Sequence, residues 1–389
     1  MNPDPDRQPP SGEQLQELFD APQPFTVGLE EELMLLDPGT LDLAPRALEV
    51  LERLEGDGRF KLELPAAQLE LRSTPRETVA EAIGELAGGR ADLARATEGV
   101  VRLAASGVHP FAATEGRLNP GARYQRTAER FGVYANRQLV FALQVHVAPG
   151  GAERSLAVYN ALRSHLPELA ALAANAPFHG GRDTGLASVR PKIAEELPRQ
   201  GVPPALASWD DYAAALRWGA AAGSIAEPSS WWWELRPHPG FGTLELRVPD
   251  AQTTLGEAAA VAAVAQCLVA WLAGRFDAGE QLPVADDWRI AENRWSAARD
   301  GVEGELADLE SGERRPTREL LLERVGQLGA VAGTLRCESE LESARQLIAR
   351  NGAMRQRAAA TEVGIEGLAG WLADGWLDPA RALAPSPPG

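Results

Sequence analysis

Three consecutive glutamates stand near the start of the chain, in the segment GLEEELMLLD (28–37). The surrounding residues predict a β-strand, and side chains on a strand alternate between its two faces. Glu30 and Glu32 therefore point the same way, roughly 7 Å apart by the rise of a strand. If these carboxylates converge with others, their mutual repulsion has to be neutralised by protons or by a metal ion.

Three more predicted strands have one polar and one apolar face. The polar faces carry Gln68, Glu70 and Arg72 in 68–73, Gln144 and His146 in 139–147, and Thr243, Glu245 and Arg247 in 243–248. Several carboxylates with one imidazole suit a hard divalent cation, Mg²⁺ or Mn²⁺. The alternative is the solvated face of an antiparallel sheet. Against it, the polar residues are mainly glutamate, and the same face carries the small residues Gly28 and Ala142, which leave room for a ligand.

A sheet must hold these strands side by side, and the pattern favours an antiparallel one. Strands are predicted in 25–37, 60–64, 68–73, 139–147 and 231–250, with Pro- and Gly-rich turns. Helical spacing of apolar residues covers 77–105, 153–175, 209–222 and nearly all of 255–376. Strands joined by hairpins and helices grouped in blocks are typical of the α+β class, and not of a doubly wound parallel sheet.

The chain has 389 residues, which allows one large domain or two ordinary ones. We find neither a linker nor a repeat within 23–379, so we expect a single domain there. Residues 1–22 are polar and Pro-rich, and we expect a disordered leader. Residues 380–389 predict a flexible tail.

Composition excludes several classes of protein. With 55 acidic and 38 basic residues the net charge is −17, which argues against a nucleic-acid partner. The absence of a Gly-Lys dipeptide excludes a Walker A phosphate loop. The apolar segment 258–274 is shorter than the ~20 residues of a membrane span, so we expect a buried helix and no membrane partner. Two cysteines, Cys267 and Cys337, and an N-terminus without a signal pattern predict a cytoplasmic location.

Six motifs, taken in order, resemble those of a known family. They are GLEEELMLLD (28–37), KLELPAAQLELRS (61–73), QVHV (144–147), LPELAALAANAPFHGGRDTGLASVR (166–190), RPHPGFGTLELRVPD (236–250) and ENRWSAARDG (292–301). Their order and spacing resemble the type 2 glutamate–cysteine ligase family of carboxylate–amine ligases. The resemblance extends from about residue 25 to residue 306.

The resemblance implies a glutamine-synthetase-like fold, in which a curved antiparallel sheet binds ATP and two or three Mg²⁺ ions and helices pack on its outer side. It implies a single carboxylate–amine ligase domain over 23–379, with a homodimer suggested. The implied reaction joins the γ-carboxylate of glutamate to the amine of cysteine, or of another amino compound, through an acyl phosphate, with release of ADP and phosphate. The implied metal ligands are Glu30, Glu32, Glu63, Glu70, His146 and Glu245. The implied catalytic residues are Arg247, Arg190 and Glu30, and the cofactor contacts are Arg247, Arg190, Asn293 and Arg294.

This sequence departs from the family pattern at Gln144, where the family usually has histidine, at Ala148 and at His179. These departures leave the amine substrate open. Two other functions also stay open: a non-catalytic relative that binds nucleotide or amino acid, and a guanidino-kinase-like phosphotransferase. The Gly-rich loop 177–185 predicts a lid that closes over the site and brings His179 to one end of it.

Overall fold

The computed structural model describes residues 9–225 and 228–377 of the chain. Its strands are β1 (Val27–Leu36), β2 (Phe60–Leu62), β3 (Gln68–Arg72), β4 (Arg102–Ala104), β5 (Leu143–Val147), β6 (Phe178–His179), β7 (Arg182–Asp183), β8 (Leu235–His238), β9 (Thr243–Leu246), β10 (Glu305–Ala307) and β11 (Arg314–Pro316). Its helices are α1 (Gly12–Asp20), α2 (Ala47–Arg53), α3 (Val79–Ala96), α4 (Ala122–Phe131), α5 (Val133–Asn136), α6 (Ala152–Leu162), α7 (Leu166–Leu172), α8 (Arg190–Ala194), α9 (Trp209–Ala221), α10 (Leu255–Asp277), α11 (Asp287–Asp300), α12 (Thr317–Leu335), α13 (Glu338–Ala349) and α14 (Gly352–Leu377). The predicted α+β class is confirmed.

The central sheet has seven strands in the order β2-β3-β1-β5-β9-β8, with β4 also paired to β1. Every pair is antiparallel. The register places Glu32 opposite Glu70 and His146 opposite Glu245. Because a slip of one residue would turn each side chain to the other face, this register is what gathers the acidic residues on one side.

The other face of the sheet is the apolar one, and helices cover it. Leu29, Leu33 and Leu35 of β1 are buried in the main core, which α3, α6 and α10 share. Thr254 and Glu257 form a capping box at the start of α10. This helix is long and apolar enough to cross a membrane, but most of it lies inside the fold. The prediction of a buried helix there is confirmed.

One carboxylate interrupts the apolar face. Glu31 is fully buried and pairs with Arg90 of α3, whose Nε donates to its Oε2 over 2.9 Å. The same guanidinium lies 4.9 Å from the ring of Trp376 and donates to the carbonyl of Thr253 over 3.3 Å. The pair therefore fastens β1 to α3 and to the end of α14.

Two sequence-based expectations differ from the structure. The disordered leader predicted over 1–22 is wrong for α1, which has a capping box at Ser11 and buries Leu15 and Phe19. The helix predicted over 77–105 ends at Ala96. The last part of that range instead forms β4, which is extended because it pairs with β1. Residues 1–8 and the tail predicted over 380–389 lie outside the described residues.

Candidate active site

A cavity of about 420 Å³ lies over the polar face of the sheet. Strands β1 and β3 supply Glu30, Glu32 and Glu70, and α4 contributes residues 123, 124 and 127 to one wall. Sequence-predicted residues that line it are Glu30, Glu32, Glu63, Glu70, Arg190 and Arg247. The interpretation of the polar face as a solvated surface therefore does not hold, because it bounds a cavity in which most side chains are largely buried.

Glu30, His146 and Glu245 bring one potential metal-ligand atom each to within 4.8 Å of one another. The hydroxyl of Thr243 lies 3.0 Å from Nδ1 of His146 and fixes the ring. This leaves Nε2 of His146 buried, without a hydrogen-bond partner, and 3.7 Å from Oε2 of Glu30. An unpartnered imidazole nitrogen beside two carboxylates fits the ligand set of Mg²⁺ or Mn²⁺.

Arginines hold Glu245 in its ionised form. Nε and Nη2 of Arg236 donate to its two oxygens over 2.6 and 2.9 Å, and Arg247 pairs with it as well. Burial opposes ionisation, but the two guanidinium charges outweigh it and keep the pKa of Glu245 well below its usual value. Burial likewise opposes ionisation of Glu30, and the neighbouring imidazole of His146 brings the pKa of that carboxyl below its ordinary value.

The second group of acidic residues has less positive charge beside it to offset burial. Its members are Glu32, Glu63 and Glu70. Glu32 accepts hydrogen bonds from the backbone N–H of Ala142 over 2.6 Å and from Nε2 of Gln144 over 3.0 Å. Burial, together with the charge of Glu63, raises the pKa of Glu32 to about 7. Burial and the charges of Glu30 and Glu63 raise the pKa of Glu70 well above its usual value. Nζ of Lys61 and Nε of Arg72 approach Glu70 only to 3.7 and 3.6 Å, so this group of carboxyls still fits a second cation.

The two arginines that were predicted to be catalytic, Arg247 and Arg190, have different hydrogen-bond partners. Arg247 donates from Nη1 to Oε1 of Gln144 over 2.8 Å, and its side chain stays partly exposed to the cavity. Arg190 donates from Nε to Asp250 over 2.7 Å and from Nη2 to the carbonyl of Val248 over 2.6 Å. Arg190 therefore braces the chain just after β9 while it lines the same cavity.

The predicted cofactor contacts Asn293 and Arg294 do not line the cavity. Nδ2 of Asn293 donates to the carbonyl of Ala307 over 2.7 Å, and its Oδ1 accepts from the N–H of Ala307 over 2.8 Å. Nε of Arg294 donates to Glu234 over 2.7 Å, and Glu234 is a lining residue. The structure thus places both residues one layer behind the wall, because α11 uses them to hold neighbouring segments.

His179 also lies outside the cavity lining. It belongs to the β6–β7 hairpin, which Asp183 fastens to α14 through two 2.9 Å hydrogen bonds from Arg357. The loop 177–185 is therefore a hairpin, and in this conformation it does not cover the cavity.

Sequence reasoning missed several lining residues. They are Tyr124, Glu234, Arg236, His238 and Phe241. The alternation on β8 carried the signal for two of them, since Arg236 and His238 alternate with buried Leu235 and Pro237. Burial lowers the pKa of His238 to about 4, so its ring is neutral at pH 7.

Comparisons with known proteins identify the family of this chain. The model of glutamate–cysteine ligase family 2 matches residues 26–364. A relative from Rubrobacter xylanophilus, named by inference glutamate–cysteine ligase 2-3, is 41% identical over 363 residues, 92% of this chain and 98% of its own. A relative from Corynebacterium glutamicum, named in the same way glutamate–cysteine ligase 2, is 34% identical over 93% of this chain and 98% of its own.

Solved structures share the fold at low sequence identity. A glutamate–cysteine ligase from Francisella tularensis, crystallised with AMP, aligns with a TM-score of 0.69 at 13% identity and covers 92% of this chain and 90% of that chain. A bifunctional glutathione synthetase from Pasteurella multocida aligns with a TM-score of 0.60 at 16% identity, over 95% of this chain and 54% of that chain. The family match over residues 26–364 and the two relatives at 41% and 34% identity establish that the chain belongs to glutamate–cysteine ligase family 2, as an ATP-dependent ligase that forms carbon–nitrogen bonds.

Proposed function

We propose that this ligase joins the γ-carboxylate of glutamate to an amine, with cysteine as an accepted amine and with ADP and phosphate as the other products. The observation that carries the proposal is the convergence of Glu30, His146 and Glu245, with Arg247 paired to Glu245, at the wall of a cavity that Glu30 and Arg247 line. Phosphoryl transfer requires charge neutralisation and in-line positioning more than covalent chemistry from the protein, and this cavity offers both signs of charge. The names of the relatives support glutamate and cysteine as substrates.

The predicted ligands would hold the divalent cations, Glu30, His146 and Glu245 on one side and Glu32, Glu63 and Glu70 on the other. A bound cation would neutralise charge on the phosphate oxygens of ATP. The AMP in the Francisella tularensis enzyme supports nucleotide binding by a fold of this kind. Both the fixed ring of His146 and its buried, unpartnered Nε2 support the assignment.

Arg247 would act on the transferred phosphoryl group. Glu245 and Gln144 hold its guanidinium at the cavity surface, so its position is set before the substrate arrives. Such pre-positioned charge stabilises the negative charge that develops in the transition state and then the acyl phosphate. One carboxylate of the cavity accepts the proton that the incoming ammonium must lose before it attacks.

The test is phosphate release from ATP with Mg²⁺ and glutamate, with and without each of a panel of amines, together with mass detection of the γ-glutamyl product. We expect release that depends on the amine, and γ-glutamylcysteine when cysteine is added. Glu30→Gln should abolish both, whereas Glu292→Gln, on the exposed side of α11, should change neither. Release without amine, with a stable phosphorylated product, would instead indicate a phosphotransferase. Nucleotide binding without turnover would indicate a non-catalytic relative.

A further inference from the structure

Phe241 stands out among the aromatic residues that line the described part of the cavity. The ring of Trp232 already has a neighbour, because the guanidinium of Arg199 lies 4.8 Å from its centroid. The hydroxyl of Tyr124 donates to a backbone carbonyl over 2.6 Å. Phe241, in contrast, is 50% exposed, and His238 stacks on one face at 4.4 Å and 9°. The other face of Phe241 is therefore the one available to a planar ligand.

This stack lies next to the predicted metal ligands. The ring of His146 is 5.5 Å from the centroid of His238 and 5.5 Å from that of Phe241, and it is close to perpendicular to both. The imidazole therefore sits beside the stack, at the edges of both rings. A ligand whose phosphates are neutralised near His146 has an aromatic surface within reach, at the partly exposed rim of the same cavity.

The turn between β8 and β9 fixes the position of Phe241. The N–H of Phe241 and the N–H of Gly242 both donate to the carbonyl of His238, over 3.1 and 2.9 Å. Gly242 has a φ of +63°, and a Cβ there would lie 2.3 Å from the carbonyl oxygen of Leu18 in α1. Glycine is thus needed for the left-handed turn and for its close approach to α1. A ring held before the ligand arrives loses little conformational entropy on binding.

We propose that the free face of Phe241 is the stacking surface for the adenine base of ATP, so that Phe241 sets the affinity for the nucleotide. The inference rests on the proposed function, in which ATP is the phosphoryl donor. Adenine is a flat π-system and the remainder of ATP is a polyanion. The cavity offers an aromatic face on one side of His146 and potential cation ligands on the other, which matches that division.

The experiment separates the base from the phosphates. Isothermal titration calorimetry with Mg²⁺ present would compare ATP with inorganic tripolyphosphate for wild type, Phe241→Leu, Phe241→Trp and Trp232→Leu. Leucine keeps apolar contact with His238 but removes the π-face. We expect Phe241→Leu to weaken ATP binding by about 5- to 100-fold and to leave tripolyphosphate binding unchanged. Phe241→Trp and Trp232→Leu should bind ATP like wild type.

Three results would overturn the inference. One is wild-type affinity of Phe241→Leu for ATP. Another is an equal loss of ATP and tripolyphosphate, which would mean that the variant disturbs the whole cavity. The third is loss of ATP binding in Trp232→Leu and not in Phe241→Leu, which would place the base at Trp232. If wild type forms a γ-glutamyl product and any of these results is found, the inference alone fails. If wild type does not bind ATP, the proposed function fails first.

Discussion

Glu31 and Glu32 are neighbours on β1 and both are buried, yet their surroundings are opposite. Glu31 faces the helices, where the fold supplies Arg90 as a built-in counter-charge. Glu32 faces the cavity, where it has only neutral hydrogen-bond donors, and burial with the charge of Glu63 raises its pKa to about 7. The fold thus supplies an ion-pair partner for Glu31 and none for Glu32 among the described residues.

The difference separates a carboxylate that holds the fold from one that is available to a ligand. A buried charge without a partner costs stability, so it persists where something else supplies the partner.

Arg90→Met should destabilise the protein most, because it leaves Glu31 buried and unpaired. We expect a loss of about 3–5 kcal/mol in the free energy of unfolding, measured by urea denaturation. The double variant Glu31→Leu/Arg90→Met removes both charges and should recover most of that loss. A loss below about 1 kcal/mol in the single variant would show that the pair does not stabilise the back of the sheet.

Arg247→Ala should leave the fold intact and lower turnover by about 10²–10³-fold, because it removes a fixed cation from developing negative charge. Arg247→Lys should recover little, since a point charge does not replace a two-pronged donor. Steady-state kinetics would check both, with Arg345→Ala on the exposed face of α13 as the control. Turnover near that of wild type in either Arg247 variant would contradict the role.

Local periodicity predicted much of the acidic face. Glu30, Glu32, Glu70, Glu245 and Arg247 could be placed on one face because strand alternation is a property of each segment by itself. The sequence pattern could not predict which charged side chains form ion pairs with one another. Arg236 meets Glu245 only through the register of the β8–β9 hairpin.

Long-range packing explains the other differences. Arg90, the partner of Glu31, lies 59 residues further along the chain, and no short pattern links them. The Glu-Asn-Arg-Trp motif marked Asn293 and Arg294 as important but did not show that they act behind the wall, on Ala307 and Glu234. The sequence did not predict helix α1, because the segment is mostly polar and only two large apolar side chains, Leu15 and Phe19, pack into the core.

Mg²⁺ should stabilise the wild-type protein, because a cation that binds the cavity binds only the folded state. At a concentration 100-fold above its dissociation constant the gain is about 2.7 kcal/mol. Thermal unfolding in MgCl₂ and in NaCl of equal ionic strength would measure it. His146→Ala should lose most of the gain, whereas the double variant Glu31→Leu/Arg90→Met should keep it. Equal stabilisation by NaCl would show a general salt effect in place of a site.

Glu168 extends the comparison to a largely buried carboxylate whose counter-charges come from the fold itself. It accepts hydrogen bonds from Nε and Nη2 of Arg324 over 3.0 and 3.1 Å, and His165 lies 3.3 Å away. Burial opposes its ionisation, but the charges and hydrogen bonds of His165 and Arg324 outweigh that and lower the pKa of Glu168 to about 2. It therefore resembles Glu31, and not Glu32, in having its counter-charge supplied by the fold.

The pH dependence of Glu168→Gln follows from this lowered pKa. A carboxyl whose pKa is lower in the folded state stabilises the fold above its unfolded pKa, near 4.5, and that contribution is lost as pH falls towards 2. The variant should lose about 2 kcal/mol of unfolding free energy at pH 6–8, and its difference from wild type should shrink steadily between pH 4.5 and pH 2. Denaturant unfolding across that range would measure the difference, with Glu342→Gln on exposed α13 expected to give a flat line. A difference that stays constant down to pH 2 would mean that Glu168 contributes by packing, because only an ionised carboxylate can lose its contribution to protonation.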